Sequence, residues 1–219
     1  MKHLELFNNG FDSTITEKVK AANYPYVGYD AVSGEVAFTE PAPEYEYVDL
    51  GLSVKWATCN VGATKPEDLG DYFAWGETEP KEVYDWSTYK WCNGSETTLT
   101  KYCTDGSYGT VDNKTQLELS DDAAHVNWGG DWRVPTEAEQ AELDNNCTWT
   151  VTTQNGVTGH KATSKSNGNS IFLPTAGYDI TLGFAGKIWS SSIDMNNPNN
   201  AGYMYFNSRG VNTSKSSRY

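Results

Sequence analysis

Aromatic rings must supply much of the core of this chain. The sequence contains 8 Trp, 14 Tyr and 7 Phe among 219 residues, while aliphatic side chains are sparse. Rings bury a large area each and prefer offset or edge-to-face contacts. With 20 Gly and 8 Pro, the chain also turns often. We therefore expect an irregular, ring-based core in one large domain with a small appendage.

The net charge is −13, and no basic run interrupts the acidity. Nucleic-acid backbones and anionic lipid headgroups are therefore poor partners. No apolar run approaches the roughly 18 residues of a membrane span, and residues 1–10 lack the apolar stretch of a secretory signal. The cytoplasm, a virus particle, and export after replacement of a signal all remain open.

The four cysteines stand apart from one another and from the three histidines. None forms a C-x-x-C pair, so a structural zinc site is not expected. Cys92 and Cys103 flank a polar loop that a disulfide could close, and Cys59 with Cys147 would complete an even set. Free buried thiols are the alternative, because the redox compartment is unknown.

The first forty residues predict a small appendage. Residues 13–22 can form a short helix. Residues 26–29 and 35–38 alternate around Ser33-Gly34, which is typical of a β-hairpin.

A proline-containing linker separates this appendage from the rest. Residues 40–44 contain two X-Pro bonds, which favour extended backbone. The predicted organisation is therefore an N-terminal appendage at residues 1–43 and a domain at residues 44–219.

Short strands and long loops are predicted over the domain. Alternating or aromatic runs bounded by Gly and polar residues favour strands. These runs are residues 47–50, 53–57, 71–76, 148–152, 159–164, 170–173, 187–190 and 203–206. Residues 77–113 are turn-rich, and loops of that length need anchors. The predicted anchors are Trp86, Tyr89, Trp91 and Tyr102.

A first helix is predicted to start near Ser120. The Ser120 hydroxyl can cap it, and Asp121 and Asp122 would lie favourably in its positive first turn. The polar and glycine residues at 127–130 end it.

A second helix begins with a capping box between Thr136 and Glu139. It is predicted to end at residues 145–146. Two helices among many short strands and long loops indicate an α+β fold.

The most specific segment runs from Trp128 to Glu139, with the sequence Trp-Gly-Gly-Asp-Trp-Arg-Val-Pro-Thr-Glu-Ala-Glu. It resembles C-type-lectin-like domains of bacteria and phages, in particular the major paralogous domain of Fibrobacter succinogenes and its relatives in Bacteroides. Supporting segments follow in the expected order: residues 48–57, 73–77, 121–124, 171–174, 176–178 and 189–191. The resemblance covers residues 45–219.

This resemblance implies a C-type-lectin-like fold, with two helices around a small central antiparallel sheet and long loops over one face. Related folds serve as variable proteins of diversity-generating retroelements, whose C-terminal part presents a ligand-binding surface. Family members usually continue with a last strand that pairs near the start of the domain. This chain stops at Arg218-Tyr219, so the sequence does not show how the sheet is completed.

The C-terminal segment, residues 187–219, is rich in Asn, Ser and Tyr around a few apolar anchors. Tyr offers rigid contact area, and Ser and Asn offer adaptable hydrogen bonds, as in evolved paratopes. Alternation along a strand directs Met204 and Phe206 inward. Tyr203 and Tyr205 then face a partner. The predicted ligand-binding residues are Ile193, Asp194, Asn196, Asn197, Asn199, Asn200, Tyr203, Tyr205, Asn207, Arg209, Asn212, Ser214, Ser216 and Tyr219.

Two alternatives accompany this interpretation. The segment can instead be a polar surface loop or a flexible tail, and the two tyrosines can instead pack in the core. The composition also resembles a product of adenine-directed mutation, which starts favourably from Asn codons. Met195 and Lys215 are not reachable in that way, so both would be fixed positions, or the segment has another origin.

No catalytic residue is assigned. Residues 133–139 also resemble the formylglycine-generating and sulfatase-modifying group, but those enzymes need reactive cysteines late in the domain, and none follows Cys147. The chain has no G-x-S-x-G, H-E-x-x-H or P-loop motif. Asp121 and Asp122 could be paired acid and base groups, although their helix N-terminal setting explains them structurally.

No cofactor is expected. Many animal lectins of this fold use calcium, and oxygen ligands are available from Asp194, Asn196, Asn197, Asn199 and Asn200. Their spacing fits no calcium loop, and the family's sugar-binding tripeptides are missing. We expect a non-catalytic module that binds a protein or glycan on a cell or phage surface, displayed on a virion or bacterium. The alternative is a structural subunit that uses the domain for assembly.

Overall fold

The chain divides into two compact units, Met1–Glu44 and Tyr45–Tyr219. The boundary expected from the linker lies beside this division. A computed structural model describes residues 27–29, 36–38, 45–175, 177–179 and 183–219.

The first unit contains a short hairpin. Strand β1 (Val27–Tyr29) pairs antiparallel with β2 (Val36–Phe38), with Val27 opposite Phe38. This pairing agrees with the predicted alternation. The helix expected at residues 13–22 and the linker at residues 40–44 lie outside the described residues.

The second unit is rich in antiparallel sheet and has two short helices, which confirms the α+β class. One two-stranded sheet pairs β3 with β4, a second sheet has the order β5-β6-β7, and a third has the order β11-β10-β9-β8. The strands are β3 (Tyr47–Val48), β4 (Trp56–Ala57), β5 (Cys147–Gln154), β6 (Val157–Ser164), β7 (Ser170–Pro174), β8 (Gly177–Asp179), β9 (Gly183–Ile193), β10 (Asn200–Asn207) and β11 (Gly210–Ser217).

Helix α1 (Ala123–Trp128) follows a 3-10 turn at Leu119–Asp121. Its cap is Asp122, whose carboxylate accepts from the backbone N–H of His125 at 3.0 Å. The prediction of Ser120 as the cap is wrong. Ser120 lies within the 3-10 turn, and Asp122 is the residue directly before the helix.

Helix α2 (Glu137–Asn146) starts and ends as predicted. Thr136 and Glu139 form the complete capping box, with the Glu139 N–H donating to the Thr136 hydroxyl at 3.2 Å. The Glu139 carboxylate also pairs with Arg133. These bonds lower the pKa of Glu139 to about 2, with the hydrogen bond from Arg133 as the largest cause.

The largest core cluster lies between the sheets and α2. It is more aliphatic than we expected, since Trp56 and Phe206 are its only rings among the buried members in the described part of the chain. The buried members are Leu50, Trp56, Leu143, Cys147, Ala162, Ile171, Leu173, Met204 and Phe206. Rings dominate elsewhere, in two smaller clusters around the long loop.

The long loop at residues 77–113 has little regular structure, as predicted, and rings hold it in place. Tyr89 and Tyr102 are buried, while Trp86 and Trp91 pack at the edge of the cluster. The strand predicted at residues 71–76 is wrong: this stretch is irregular.

All four cysteines are free thiols, and Cys92, Cys103 and Cys147 are buried. This finding decides between the two alternatives that the sequence left open. The Cys92 and Cys103 thiols donate instead to carbonyls of Trp86 and Asp105, each at 3.1 Å.

The C-terminal segment is ordered as sheet. Strands β9 and β10 extend the two predicted segments, and β8 and β11 were not predicted. The alternative of a loop or flexible tail is therefore wrong for residues 200–217. Among the described residues, no helix is long and apolar enough to cross a membrane.

Candidate functional site

The C-terminal sheet separates an inward face from an outward face along β10. Met204 is 0% exposed and Phe206 2% exposed, and both belong to the main core. Tyr203 and Tyr205 are only half-buried. The alternation predicted from the sequence is confirmed, and the alternative of two core tyrosines is not supported.

Three rings run across the outward face and form what we call the aromatic strip: Trp189, Tyr203 and Tyr205. Trp189 lies opposite Tyr203 in the β9–β10 register. Their ring centroids are 5.8 Å apart in an edge-on contact, and those of Tyr203 and Tyr205 are 6.0 Å apart. Residues directly opposite in antiparallel strands share one face, so the strip is continuous.

Polar side chains border the strip on both neighbouring strands. Lys187 on β9 and Asn212 on β11 lie opposite Tyr205, while Ser214 on β11 lies opposite Tyr203. The Lys187 ammonium lies 5.2 Å from the Tyr203 ring centroid, a cation–π contact. Lys187 and Asn212 are exposed, so the face offers rings, a cation, an amide and a hydroxyl together.

The inward face is fitted closely to the core beneath the strip. A Cβ on Gly186 would lie 2.3 Å from ring carbons of Phe206, so only glycine admits that ring. On the same face, Lys215 pairs with Glu137 of α2 at 2.5 Å. Helix α2 and the core thus support β10 and β11 from below.

A bulge in β9 connects the strip to the surrounding loops. The β9–β10 register shifts between Ala201 and Tyr203. At the bulge, the Ser190 carbonyl accepts from the Trp75 indole at 2.8 Å, and the Ser191 carbonyl accepts from the Leu117 N–H at 2.9 Å. These bonds satisfy groups that the β-ladder leaves open.

Trp189 and its neighbour are held by two further contacts. The Trp189 indole donates to the Phe73 carbonyl at 3.0 Å. From α2, the buried Gln140 amide donates to the carbonyls of Ile188 and Trp189, each at 3.0 Å. Trp189 is half-buried, and it packs against the core cluster around Trp75 as well as lying in the strip.

The end of the segment is clamped by Arg218, which is fully buried. Its guanidinium lies 5.4 Å from the ring centroids of both Trp75 and Tyr89 and donates to the Tyr102 carbonyl at 3.1 Å. The Arg218 carbonyl accepts from the Trp75 N–H at 2.6 Å. Burial lowers the pKa of this guanidinium below its usual range.

The structure corrects part of the predicted binding set. Ile193, Asn199 and Asn207 are 2%, 6% and 3% exposed, so their side chains do not face a partner. Ile193 packs against Trp75, Tyr102 and Ala201 in a core cluster. The half-buried members are Asp194, Asn197, Asn200, Tyr203, Tyr205, Ser214 and Ser216, and the exposed members are Asn196, Arg209, Asn212 and Tyr219.

Asn207 has a structural role at the β10–β11 turn. Its side-chain oxygen accepts from the Arg209 N–H at 2.8 Å. Its backbone carbonyl lies 3.0 Å from Nε2 of His160 on β6, and because a carbonyl can only accept, this nitrogen carries the proton. Burial lowers the pKa of His160.

The residues considered as calcium ligands form the β9–β10 connection. Asp194 accepts from the Asn196 N–H at 3.0 Å, and Asn197 accepts from the Asn199 N–H at 3.1 Å. Their oxygens thus shape a turn. Among the described residues, no three His, Cys, Asp or Glu side chains are grouped to hold a metal ion.

Asp121 and Asp122 bind different partners. Asp121 accepts from the Tyr102 hydroxyl and the Lys101 ammonium, both at 2.5 Å. Burial, followed by the bond to Asp121, raises the pKa of Tyr102. Asp122 caps α1 and accepts from the Val134 N–H at 2.9 Å, and burial raises its pKa.

Charge is distributed unevenly along the chain. Residues 183–219 contain four cations and one carboxylate, whereas the preceding 182 residues contain 12 cations and 28 carboxylates. Lys215 is paired with Glu137 and Arg218 is buried, whereas Lys187 contacts the Tyr203 ring of the strip. The strip therefore lies in a part of the chain where cations outnumber carboxylates.

Lys187 was missed in the sequence. It stands two residues before Trp189, so strand alternation alone places both on one face. The sequence did not show that β9 pairs with β10, because the alternation of side chains along a strand does not specify its partner strand.

In comparisons with known proteins, no family model, no curated protein and no solved structure matched this chain. The resemblance to C-type-lectin-like domains therefore rests on the motifs quoted above.

Proposed function

We propose that the Tyr45–Tyr219 unit is a non-catalytic ligand-binding module whose contact surface is the aromatic strip with its polar border. One observation carries the proposal: β10 turns two tyrosines outward while its alternate residues, Met204 and Phe206, are buried. Such tyrosines contribute little to the core. A surface that combines Tyr and Trp with Ser and Asn is typical of protein recognition sites.

The interface would be smaller than the set predicted from the sequence. Its centre is Trp189, Tyr203 and Tyr205, and Lys187 and Asn212 border it. Large rings supply most of the binding energy in the centre of an interface, while polar neighbours exclude water and set orientation. The local excess of cations favours a neutral or acidic ligand over a cationic one.

We further propose that this unit has a C-type-lectin-like fold and acts in receptor recognition or adhesion on a virion or bacterial surface, as variable proteins of diversity-generating retroelements do. The support is the motif run from Trp128 to Glu139 and a C-terminal segment that is rich in Asn, Ser and Tyr. Lys215 fits a fixed position, since it pairs with Glu137 on the inward side. Met195 is 63% exposed and has no such reason to be fixed.

The binding proposal is tested with the labelled full chain on bacterial cells and on glycan arrays. A variant carrying both Tyr203→Ala and Tyr205→Ala should lose at least about tenfold in affinity, since one decade needs only about 1.4 kcal/mol. Tyr47→Ala is the matched control, because Tyr47 is 54% exposed on β3. Undiminished binding by the double variant, or its unfolding while Met204 and Phe206 are intact, would reject the proposal.

The proposed origin has its own test in the neighbouring DNA. A reverse-transcriptase gene beside a near-copy of the segment that encodes residues 187–219 is the expected arrangement. If neither is found beside the gene, the retroelement origin is rejected, and the binding surface stands on the cell and array data alone.

A further inference from the structure

Strand β5 is an edge strand without a single charge. Its sequence is Cys-Thr-Trp-Thr-Val-Thr-Thr-Gln, in a chain whose residues are 21% charged. It stands at one end of the β5-β6-β7 sheet. β-Branched and aromatic residues favour extended pairing, so this strand has the composition of a central strand at an edge position.

The edge carries none of the devices that usually protect such a strand. Charged side chains, proline and bulges are the common forms of protection. Here β5 has no proline, and its eight residues pair with β6 in one continuous register. Within the part of the chain that the structure describes, the backbone of residues 148–153 bonds to no element other than β6. Alternate N–H and C=O groups therefore point outward.

Side chains are accessible on both faces of β5. Thr150 is exposed on one face, and Val151 is 53% exposed on the other. Glu67 accepts from Gln154 and Asn155 only at the hairpin tip, at 3.2 and 2.6 Å. The central part of the strand is open for pairing.

The uncharged and self-complementary sequence of β5 favours a second copy as the occupant. At −13, two copies repel each other across most of their surfaces. An uncharged strand is the kind of surface across which they can meet, and a two-fold contact needs one patch that complements itself. Antiparallel pairing centred on Val151 places Val151 opposite itself and Thr150 opposite Thr152. Valine and threonine pairs of this kind stabilise a sheet.

We propose that β5 pairs antiparallel with β5 of a second copy, joining two three-stranded sheets into one of six strands. The pairing extends from Trp149 to Thr153. It does not depend on the proposed function, but it would give each assembly two aromatic strips. Two linked sites bind a surface that carries many ligands far more tightly than either site alone.

The test is sedimentation equilibrium of the full chain over the micromolar range under reducing conditions. The unmodified chain should form a dimer, and Val151→Lys should weaken it by at least about tenfold. Val126→Lys is the matched control: Val126 is 47% exposed on α1, and the charge change is the same. A monomer at every concentration, or equal weakening by both variants, overturns the proposal.

A second measurement covers the case in which Val151→Lys disturbs folding. Hydrogen exchange of the unmodified chain should show that alternate amides of residues 149–153 become more protected as concentration rises. Amides at the β10–β11 turn should not change. Equal exchange in β5 at low and high concentration would also overturn the pairing.

Discussion

The long loop at residues 77–113 and the C-terminal sheet are held in place, and satisfy their backbone hydrogen bonds, in different ways. The loop satisfies its backbone with few ladder bonds and depends on buried rings whose polar ends bind carbonyls. Tyr89, for example, donates to the Trp75 carbonyl at 2.8 Å, and Trp91 donates to the Gly76 carbonyl at 2.7 Å. The sheet satisfies most of its backbone through strand pairing, which one bulge in β9 interrupts, and it buries Met204 and Phe206 on its inward face.

This difference determines where side chains are free to serve a partner. In the loop, most large rings are needed for the structure itself. In the sheet, Tyr203 and Tyr205 are less needed for that role because the ladder and the inward face already hold the strands. A binding surface therefore develops more readily on the sheet than on the loop.

The sharpest test of this contrast is the removal of a loop ring. Tyr102→Ala should lower the free energy of unfolding by about 3–5 kcal/mol, the usual range for a buried aromatic residue, because Tyr102 is 0% exposed. Urea denaturation measures the change. Val111→Ala, at a 43% exposed position in the same loop, should change it by less than about 0.5 kcal/mol. Similar values for both would show that rings do not anchor the loop.

Within the sheet, the two faces of β10 should respond differently. Met204→Ala should destabilise by about 2–5 kcal/mol, whereas Tyr203→Ala should cost about 1 kcal/mol or less. The same denaturation experiment compares them. A larger loss from the tyrosine than from the methionine would contradict the division into a structural and a displayed face.

A smaller loss of stability is expected when only the hydroxyl group of a ring is removed. Tyr102→Phe removes the hydroxyl that donates to Asp121 and accepts from the Glu118 N–H. Losing these two hydrogen bonds, one of them to a carboxylate, should cost about 1–3 kcal/mol. Tyr203→Phe, at a half-buried residue of the strip, is the control and should be nearly neutral. Equal effects would mean that the loop does not depend on its polar contacts.

The smallest expected effect is the pH dependence of stability that arises from His160, which links β6 to β10. Burial holds the pKa of His160 below its ordinary 6.5, so the unfolded chain binds a proton that the folded chain excludes. Stability should therefore fall as pH drops below 6.5, by at most about 1.4 kcal/mol per pH unit. The slope should be smaller in His160→Gln. A parallel pH dependence in both proteins would remove His160 as its cause.

The sequence predicts local structure well where one residue's chemistry decides it. Thr136 and Glu139 define the start of α2, and alternation assigns the two faces of residues 203–206. The cap of α1 was misplaced by two residues, because Ser120 and Asp122 are both good caps and only the 3-10 turn before the helix decides between them.

Long-range pairing accounts for most of what the sequence did not predict. Residues 210–217 contain one aliphatic side chain, so nothing local indicates a strand, yet pairing with β10 makes them one. Asn207 is of a residue type common in contact surfaces, but it is buried, and its backbone carbonyl contacts His160 of another sheet. The aromatic run at residues 71–76 suggested a strand, whereas the stretch is irregular and Trp75 is its buried ring.

The bulge in β9 has a consequence for the order of folding. The indole of Trp75 reaches Ser190 across 115 positions of sequence, and its N–H reaches Arg218 across more. Bringing together segments so far apart loses chain entropy before any contact compensates for it, and topologies of this kind fold slowly. We therefore expect the β5–β6 hairpin to form early and the contacts of Trp75 with Ser190 and Arg218 to form last. A newly made chain would then acquire its contact surface only at the end of folding.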